Sequence, residues 1–216
     1  MDIQEKVSEF VHKYVELSEE QEKVVVDYAL ETWQPLGKRV KYLQFLGGTC
    51  TGKTRALRVM EAIVKNPLFV YGASSSRAVL GFMNNQHPCT LILEEADLMI
   101  EPKEFCEFCG QVIEPEEQRE SVFKQILASG ASSGNGLIWR RGKNEDGEHE
   151  FEFLKIFGHK IIATRGRFDD MALQSRCIAI EMQGNIRSDT PMILDPEFVK
   201  DALEISVLLE NEFGKE

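Results

Sequence analysis

The chain is short of positive charge and of anything that would carry it into a membrane. Its 25 lysines and arginines stand against 36 aspartates and glutamates, a formal net charge of −11 over 216 residues. So acidic a molecule repels nucleic acid as a whole, and any grip on DNA or RNA has to be local or shared around an oligomer. No apolar run reaches the length of a membrane span, which predicts no membrane partner. The opening Met1-Asp2-Ile3-Gln4-Glu5 is acidic and amphipathic, unlike a secretory signal. Cysteines number five, an odd count at irregular spacing, which argues for a reducing, cytoplasmic setting over a disulfide framework. Internal repeats and low-complexity linkers are missing as well.

What is present suits one large α/β domain with short helical flanks. Hydrophobic residues make up 43 % of the chain, enough for a buried core. Residues 1–36 read as an N-terminal helical segment: Ile3, Val7, Phe10, Val11, Tyr14 and Val15 share one helical face, and Ser18 with Gln21 forms a capping box opening a second helix. Residues 37–187 alternate strand-like and helix-like runs. The strands are Val40-Lys41-Tyr42-Leu43-Gln44-Phe45-Leu46, Leu68-Phe69-Val70-Tyr71, Cys89-Thr90-Leu91-Ile92-Leu93, Lys160-Ile161-Ile162-Ala163 and Cys177-Ile178-Ala179-Ile180. Helices are expected over 54–65, 75–85 and 115–129. Such alternation predicts a mainly parallel sheet between helices, a three-layer αβα sandwich. Residues 188–216 supply one further helix, 195–211. Charge is uneven: seven glutamates fall within 101–120, whereas Arg140, Arg141, Lys143, Lys155, Lys160, Arg165 and Arg167 fall in one later stretch.

The most specific signal is Gly47-Gly48-Thr49-Cys50-Thr51-Gly52-Lys53-Thr54, a G-x-x-x-x-G-K-T phosphate loop between a strand and a helix. Glycines let backbone N–H groups curl around phosphate oxygens, and the helix N-terminus adds its positive dipole end. The pattern predicts ATP and Mg²⁺: residues 47–55, through Arg55, cradle the nucleotide, Lys53 reaches the β- and γ-phosphates, and Thr54 ligates the metal. The Asn/Thr-Lys-x-Asp signature that reads guanine is missing, which favours adenine.

Carboxylates then appear where the third strand ends, in Leu91-Ile92-Leu93-Glu94-Glu95-Ala96-Asp97. Beside a phosphate loop, one carboxylate supports Mg²⁺ and the next activates the attacking water. By position Glu94 is the metal-side residue and Glu95 the water-side residue. Aspartate is the usual metal-side choice, so Glu94 is a departure, and Asp97 is available to share a role.

With loop and acidic pair in place, the chain resembles AAA+ and related additional-strand P-loop ATPases, and more specifically an ATPase domain of phage and plasmid primase-helicase-like replication proteins. The resemblance spans about residues 14–187 and includes Leu17-Ser18-Glu19-Glu20-Gln21, 90–97, Ile126-Leu127-Ala128-Ser129-Gly130, Gly136-Leu137-Ile138-Trp139-Arg140, 157–163 and Ala172-Leu173-Gln174-Ser175-Arg176-Cys177-Ile178. It implies a P-loop NTPase fold and an ATP-hydrolysing motor on nucleic acid, assembled as an ATP-dependent homo-oligomeric ring, with a separate primase or replication partner. It also implies a γ-phosphate sensor after 160–163, usually asparagine; here the sensor is Thr164 or is missing. Arg176 falls where such proteins present an arginine finger to a neighbour's ATP, the alternative being a structural arginine. The expected hairpin at 137–153 lies where replicative helicases carry a pore hairpin. Trp139, Arg140, Arg141 and Lys143 combine a stacking ring with cations suited to single strands; a plain edge hairpin with Trp139 packed inward is the other reading. Only 36 residues follow Ile180, so the C-terminal lid of AAA+ proteins is reduced or absent.

Two other functional classes fit parts of the pattern. Glu94, Thr164 and the short C-terminus suit a nucleotide-dependent assembly or regulatory module with weak turnover. A small-molecule kinase is disfavoured by the lack of an arginine-rich lid. Cys106-Glu107-Phe108-Cys109-Gly110 is half of a zinc ribbon; no second pair follows at ribbon spacing, so two free thiols are expected.

Overall fold

The computed structural model describes residues 2–71, 76–96, 104–105, 112–113, 122–143, 149–184, 189–191 and 193–214, with side chains for most of them. In chain order the elements are α1 (Ile3–Tyr14), α2 (Glu19–Glu31), β1 (Tyr42–Leu46), α3 (Lys53–Ile63), β2 (Pro67–Val70), α4 (Ser76–Asn85), β3 (Thr90–Leu93), β4 (Glu104–Phe105), β5 (Val112–Ile113), α5 (Val122–Ser129), β6 (Gly136–Lys143), β7 (His149–Lys155), β8 (Lys160–Thr164), α6 (Met171–Gln174), β9 (Cys177–Glu181) and α7 (Pro196–Phe213).

Five strands form one parallel sheet in the order β2-β3-β8-β1-β9. The late strand β8 is thus inserted between β1 and β3, pairing Leu46 with Thr164 on one side and Leu93 with Ile162 on the other. Side chains alternate across the sheet as the strand period demands. Leu43, Phe45, Ile92, Ile161 and Ala163 enter one core with α1, α2, α3 and α7. Tyr42, Leu91, Leu93 and Ile162 enter a second core with α4, α5 and α6. Both faces are covered, which is why these strands are nearly continuous apolar runs. The molecule is an α/β protein with a mainly parallel sheet flanked by helices, as the alternation in the sequence predicted.

The N-terminal helices share the main core. Val7, Phe10, Val11 and Tyr14 line the buried face of α1, and α2 opens on the expected capping box, with Gln21 N–H donating to Ser18 Oγ at 3.3 Å and Ser18 N–H to Gln21 Oε1 at 3.1 Å. Helix α7 starts at an Asp195 cap and lies against α1 and α3: the Phe198 ring stacks on Phe10 and meets Tyr14 edge-on, and Tyr14 Oη donates to Asp201 at 2.8 Å. The C-terminal helix therefore closes the same hydrophobic layer as α1.

The hairpin expected at 137–153 is present as the antiparallel pair β6 and β7, longer than predicted and irregular between Arg140 and Gly142; its tip, 144–148, lies outside the described residues. Asn84 at the end of α4 ties down β7 by accepting from Lys155 N–H at 3.1 Å. Helix α5 covers the second half of the 115–129 expectation, and 115–121 lie outside the described residues. The pair β4 and β5, within the acidic stretch, was not expected. Among the described residues no helix is long and apolar enough to cross a membrane.

Candidate functional site

Parallel strands all end on the same edge, and in open α/β sheets ligands bind beyond those carboxyl ends. Here β1 runs into the glycine turn 47–52, which delivers the chain to α3. Gly47 admits no side chain: a Cβ there would lie 2.7 Å from Thr51 Oγ1 and 2.8 Å from the Met182 carbonyl. Gly52 takes φ +89° as the residue that starts α3, a left-handed conformation suited to glycine. The first turn of α3 thus points its unpaired N–H groups over the edge.

Around that edge lies a cavity of about 460 Å³. Its lining takes in residues 49–52 of the glycine turn with Lys53 and Thr54, then Glu94, Glu95 and Arg165, and also Val15, Glu16, Met182, Thr190 and Pro191. Lys53 Nζ donates to the Gly47 carbonyl at 2.6 Å and also to that of Gly48. Thr54 Oγ1 donates to Glu94 Oε1 at 2.5 Å. The Glu95 carboxylate faces Arg165 Nη2 at 3.6 Å, with both side chains more than half exposed. Arg55 donates to the Pro191 carbonyl, fastening the start of α3 to the segment beyond β9. Gln21 Nε2, donating to Glu181 O at 3.1 Å, fixes the turn between α1 and α2, and with it Val15 and Glu16, beside the end of β9.

Backbone strain gathers in the same place. Cys50 (φ 62°) and Glu95 (φ 55°) are non-glycine residues in the left-handed region, and both line the cavity; Asn66 (φ 45°) is the other such residue described. Conformations of this kind persist where the surroundings over-determine them, often at ligand sites.

Every residue of 49–55, with Glu94 and Glu95, lines one cavity, and Gly47 and Gly48 form its underlying turn. Arg176 does not join them. Its carbonyl accepts from Tyr42 N–H at 2.9 Å, at the other end of β1, five residues and about 16 Å from Gly47. Thr164 is fully buried, and its hydroxyl accepts from Gln44 Nε2 at 2.8 Å. Trp139, Arg140, Arg141 and Lys143 belong to β6, and their side chains, like Asp97, Cys106 and Cys109, fall outside the described residues. The basic stretch after 140 is no single patch: Lys160 is buried, Arg165 faces the cavity and Arg167 pairs with Glu181 at 2.9 Å.

Three contributions escaped the sequence reading. Arg165 follows a strand with no motif around it. Val15 and Glu16 belong to the turn after α1, and Met182, Thr190 and Pro191 follow β9; no sequence spacing links the two groups. Gln44, inside a buried strand, reads as an ordinary polar interruption. The chain matches no protein-family model and no curated protein. Fold and site together define an α/β protein with one cavity at the carboxyl edge of a parallel sheet, lined by a helix N-terminus, a lysine, a threonine and paired carboxylates.

Proposed function

We propose that this chain is an additional-strand P-loop ATPase that binds ATP with Mg²⁺ and hydrolyses it. The observation that carries the reading is convergence: the glycine turn, Lys53, the Thr54–Glu94 contact at 2.5 Å and Glu95 all border one cavity at one sheet edge. The insertion of β8 between the strand before the glycine turn and the strand before the acidic pair supports the additional-strand assignment. Amides of 48–54 and the Lys53 ammonium bind the phosphates. A hydroxyl and a carboxylate in contact are hard oxygen donors suited to Mg²⁺, which usually takes one or two protein oxygens beside phosphate and water; when bound, the metal neutralises charge on the β- and γ-phosphates. Glu95 takes a proton from the attacking water as its oxygen bonds to the γ-phosphorus and the bond to the bridging oxygen breaks. Val15, Met182 and Pro191 offer apolar surface to the base, with Glu16 and Thr190 as polar partners.

The broader role is a ring-forming, helicase- or translocase-like motor acting on nucleic acid in replication, alongside a separate primase or replication partner. Support for it comes from the resemblance in sequence. Arg176 suits a trans-acting finger because it lies at the end of the sheet remote from its own cavity. A second reading, a nucleotide-dependent assembly or regulatory module with weak turnover, is favoured by Thr164, which is fully buried, accepts from Gln44 Nε2 and is not part of the cavity lining.

The deciding experiment measures ATP hydrolysis by the full chain, with and without single-stranded DNA, beside Lys53→Ala and Glu95→Gln. Turnover that requires both residues supports the ATPase, and stimulation by DNA supports the motor. Equal, slow turnover by all three proteins leaves only the regulatory module. Sizing the protein with a non-hydrolysable ATP analogue tests the ring: a persistent monomer removes the role of Arg176 in trans.

A further inference from the structure

The tip of β8 stands between the two halves of the cavity. Strand pairing sets Thr164 beside Leu46, so Arg165 is level with Gly47; pairing of Leu93 with Ile162 sets Glu95 level with Thr164 on the other side. The residue that follows β8 is therefore within one step of both the glycine turn and the acidic pair.

Thr164 and Arg165 divide sharply. Thr164 is fully buried and joins a relay beneath the sheet: its hydroxyl accepts from Gln44 Nε2, Gln44 Oε1 accepts from Gln174 Nε2, and Gln174 Oε1 accepts from Phe168 N–H, each at 2.8 Å. Arg165 turns outward into the cavity, and its guanidinium stands 3.6 Å from the Glu95 carboxylate. A charge-assisted N–H···O contact is usually about 2.7–2.9 Å, so this pair is loose as well as exposed, and such pairs are weak. Lys53 is the phosphate ligand already assigned, and the other arginines near the turn are engaged elsewhere, Arg55 on the Pro191 carbonyl and Arg58 on Glu61.

We propose that Arg165 is the γ-phosphate sensor of this chain and acts in cis by exchange. Its guanidinium leaves Glu95 for the γ-phosphate oxygens when a triphosphate binds, and Glu95 is thereby freed as the base. The inference rests on the ATPase reading and deepens it. A planar guanidinium with its fork of donors matches a phosphate better than one carboxylate oxygen at arm's length. The γ-phosphate also gathers charge on its peripheral oxygens in the transition state, so the contact strengthens as reaction proceeds. While Glu95 faces Arg165 its carboxylate is engaged with the guanidinium, so the exchange couples its release to a triphosphate. Atoms balance within the hydrolysis itself: the water oxygen bonds to phosphorus, its proton goes to Glu95, and the bridging oxygen leaves with ADP. ADP offers no γ-oxygen, so Arg165 returns to Glu95 and the site tells ATP from ADP.

Calorimetric titration of the full chain with Mg²⁺ and either the β,γ-imido analogue of ATP or ADP tests this. Arg165→Ala is expected to weaken the imido analogue by about tenfold while leaving ADP within about twofold, and to lower kcat by about 10²-fold, with Arg165→Lys recovering part of both. Exchange adds a reciprocal effect that a structural role would not produce. Glu95→Gln removes the competing carboxylate, so it is expected to tighten the imido analogue, and the gain should vanish in the Arg165→Ala background. Arg165→Ala that discriminates the two ligands as wild type does, loses both equally, or keeps its kcat overturns the sensor. So does a Glu95→Gln gain that survives without Arg165. Wild-type protein that binds neither ligand overturns the ATPase reading instead, which keeps the two failures apart.

Discussion

Strand β8 carries a cation at each end, and the fold treats them in opposite ways. Lys160, at its start, is fully buried; its Nζ donates to the carbonyls of Ile156 at 2.9 Å, Gly158 at 3.0 Å and Gly130 at 3.2 Å and lies 4.9 Å from the centre of the Tyr42 ring. Arg165, one residue past its end, is more than half exposed and has a carboxylate at 3.6 Å. A buried ammonium is tolerable only when each of its hydrogens is met, and once met it has nowhere else to go. A solvated guanidinium on a loose partner costs little to move. The three hydrogen bonds of Lys160 therefore mark the start of β8 as the end that holds, while strained backbone at Cys50 and Glu95 and the loose Arg165 pair mark the end proposed to react.

That division predicts that changes at the two ends separate into lost chemistry and lost stability. The largest effect is expected at the reactive end. Lys53→Ala and Glu95→Gln should each lower ATP turnover by about 10²-fold or more, with thermal melting nearly unchanged, because neither side chain fills the core. Parallel measurements of hydrolysis and melting check this. A large fall in melting temperature with turnover intact would invert the assignment.

Lys160→Met is the mirror experiment. Methionine keeps the length of the side chain but takes the lysine donor from the carbonyls of Ile156 and Gly158, each worth about 1–3 kcal/mol when buried and unpaired, and leaves that of Gly130 with the Gly158 N–H at 3.3 Å. Unfolding in urea should show a loss of about 3 kcal/mol or more, while the nucleotide affinity of the folded protein stays at its wild-type value. Reduced affinity in protein that is still folded would mean that the ends of β8 communicate.

These two ends were unequally legible in the sequence. The glycine turn, Lys53, Thr54 and the acidic pair, which the structure sets around one cavity, could be singled out because the phosphate-loop pattern is written in fixed residue types at short, local spacing beside a strand. The sheet was found because burial on both faces writes continuous apolar runs. Lys160 was placed correctly as the first residue of a strand, but only as one of several basic residues after 140; nothing local announces that Gly130, Ile156 and Gly158 converge on it. Arg165 stayed hidden for the same reason, because its partner Glu95 is reached only through the pairing of β3 with β8. Strand order is a tertiary fact. The same holds for the cavity wall assembled from Val15 and Pro191, which lie in widely separated parts of the chain.

The holding end should also govern the response to acid. His159 is buried against Tyr28 with Nδ1 lacking a hydrogen-bond partner among the described residues; burial first, and the Lys160 charge second, push its pKa down to about 4 from 6.5. The unfolded chain then binds more protons than the folded one between those values, so stability present above pH 6.5 is lost as pH falls towards 4, by up to about 3 kcal/mol at ~1.4 kcal/mol per pH unit. Burial likewise pulls Lys160 down to about 7 from 10.5, so stability rises with pH across that higher window. Urea unfolding from pH 4 to pH 10 checks both. His159→Phe should flatten the acid limb and Lys160→Met the alkaline one; acid limbs that superimpose in His159→Phe and wild type would remove His159 from the account.

The smallest effect, and the finest probe of whether the two ends are separate, is expected from Tyr28→Phe. The Tyr28 hydroxyl accepts from Lys160 N–H at 3.1 Å and directs its single hydrogen between the carbonyls of Lys160 at 2.9 Å and Lys41 at 3.1 Å. It therefore joins α2 to the first residue of β8 and to the residue before β1. Phenylalanine keeps the ring and its edge contact with His159 while removing the oxygen, so the loss should be about 1–2 kcal/mol, typical of a buried hydroxyl taken from paired groups. Because β1 and β8 stay paired from Tyr42–Lys160 to Leu46–Thr164, a loosening at their first residues has to cross the whole ladder before it reaches Gly47 or Arg165. Stability should fall while kcat and KM for ATP stay within about twofold of wild type, since catalytic geometry is set beyond the other end of the strands. A matching fall in kcat would show that β8 transmits strain along its length, and the sheet would then act as part of the catalytic device.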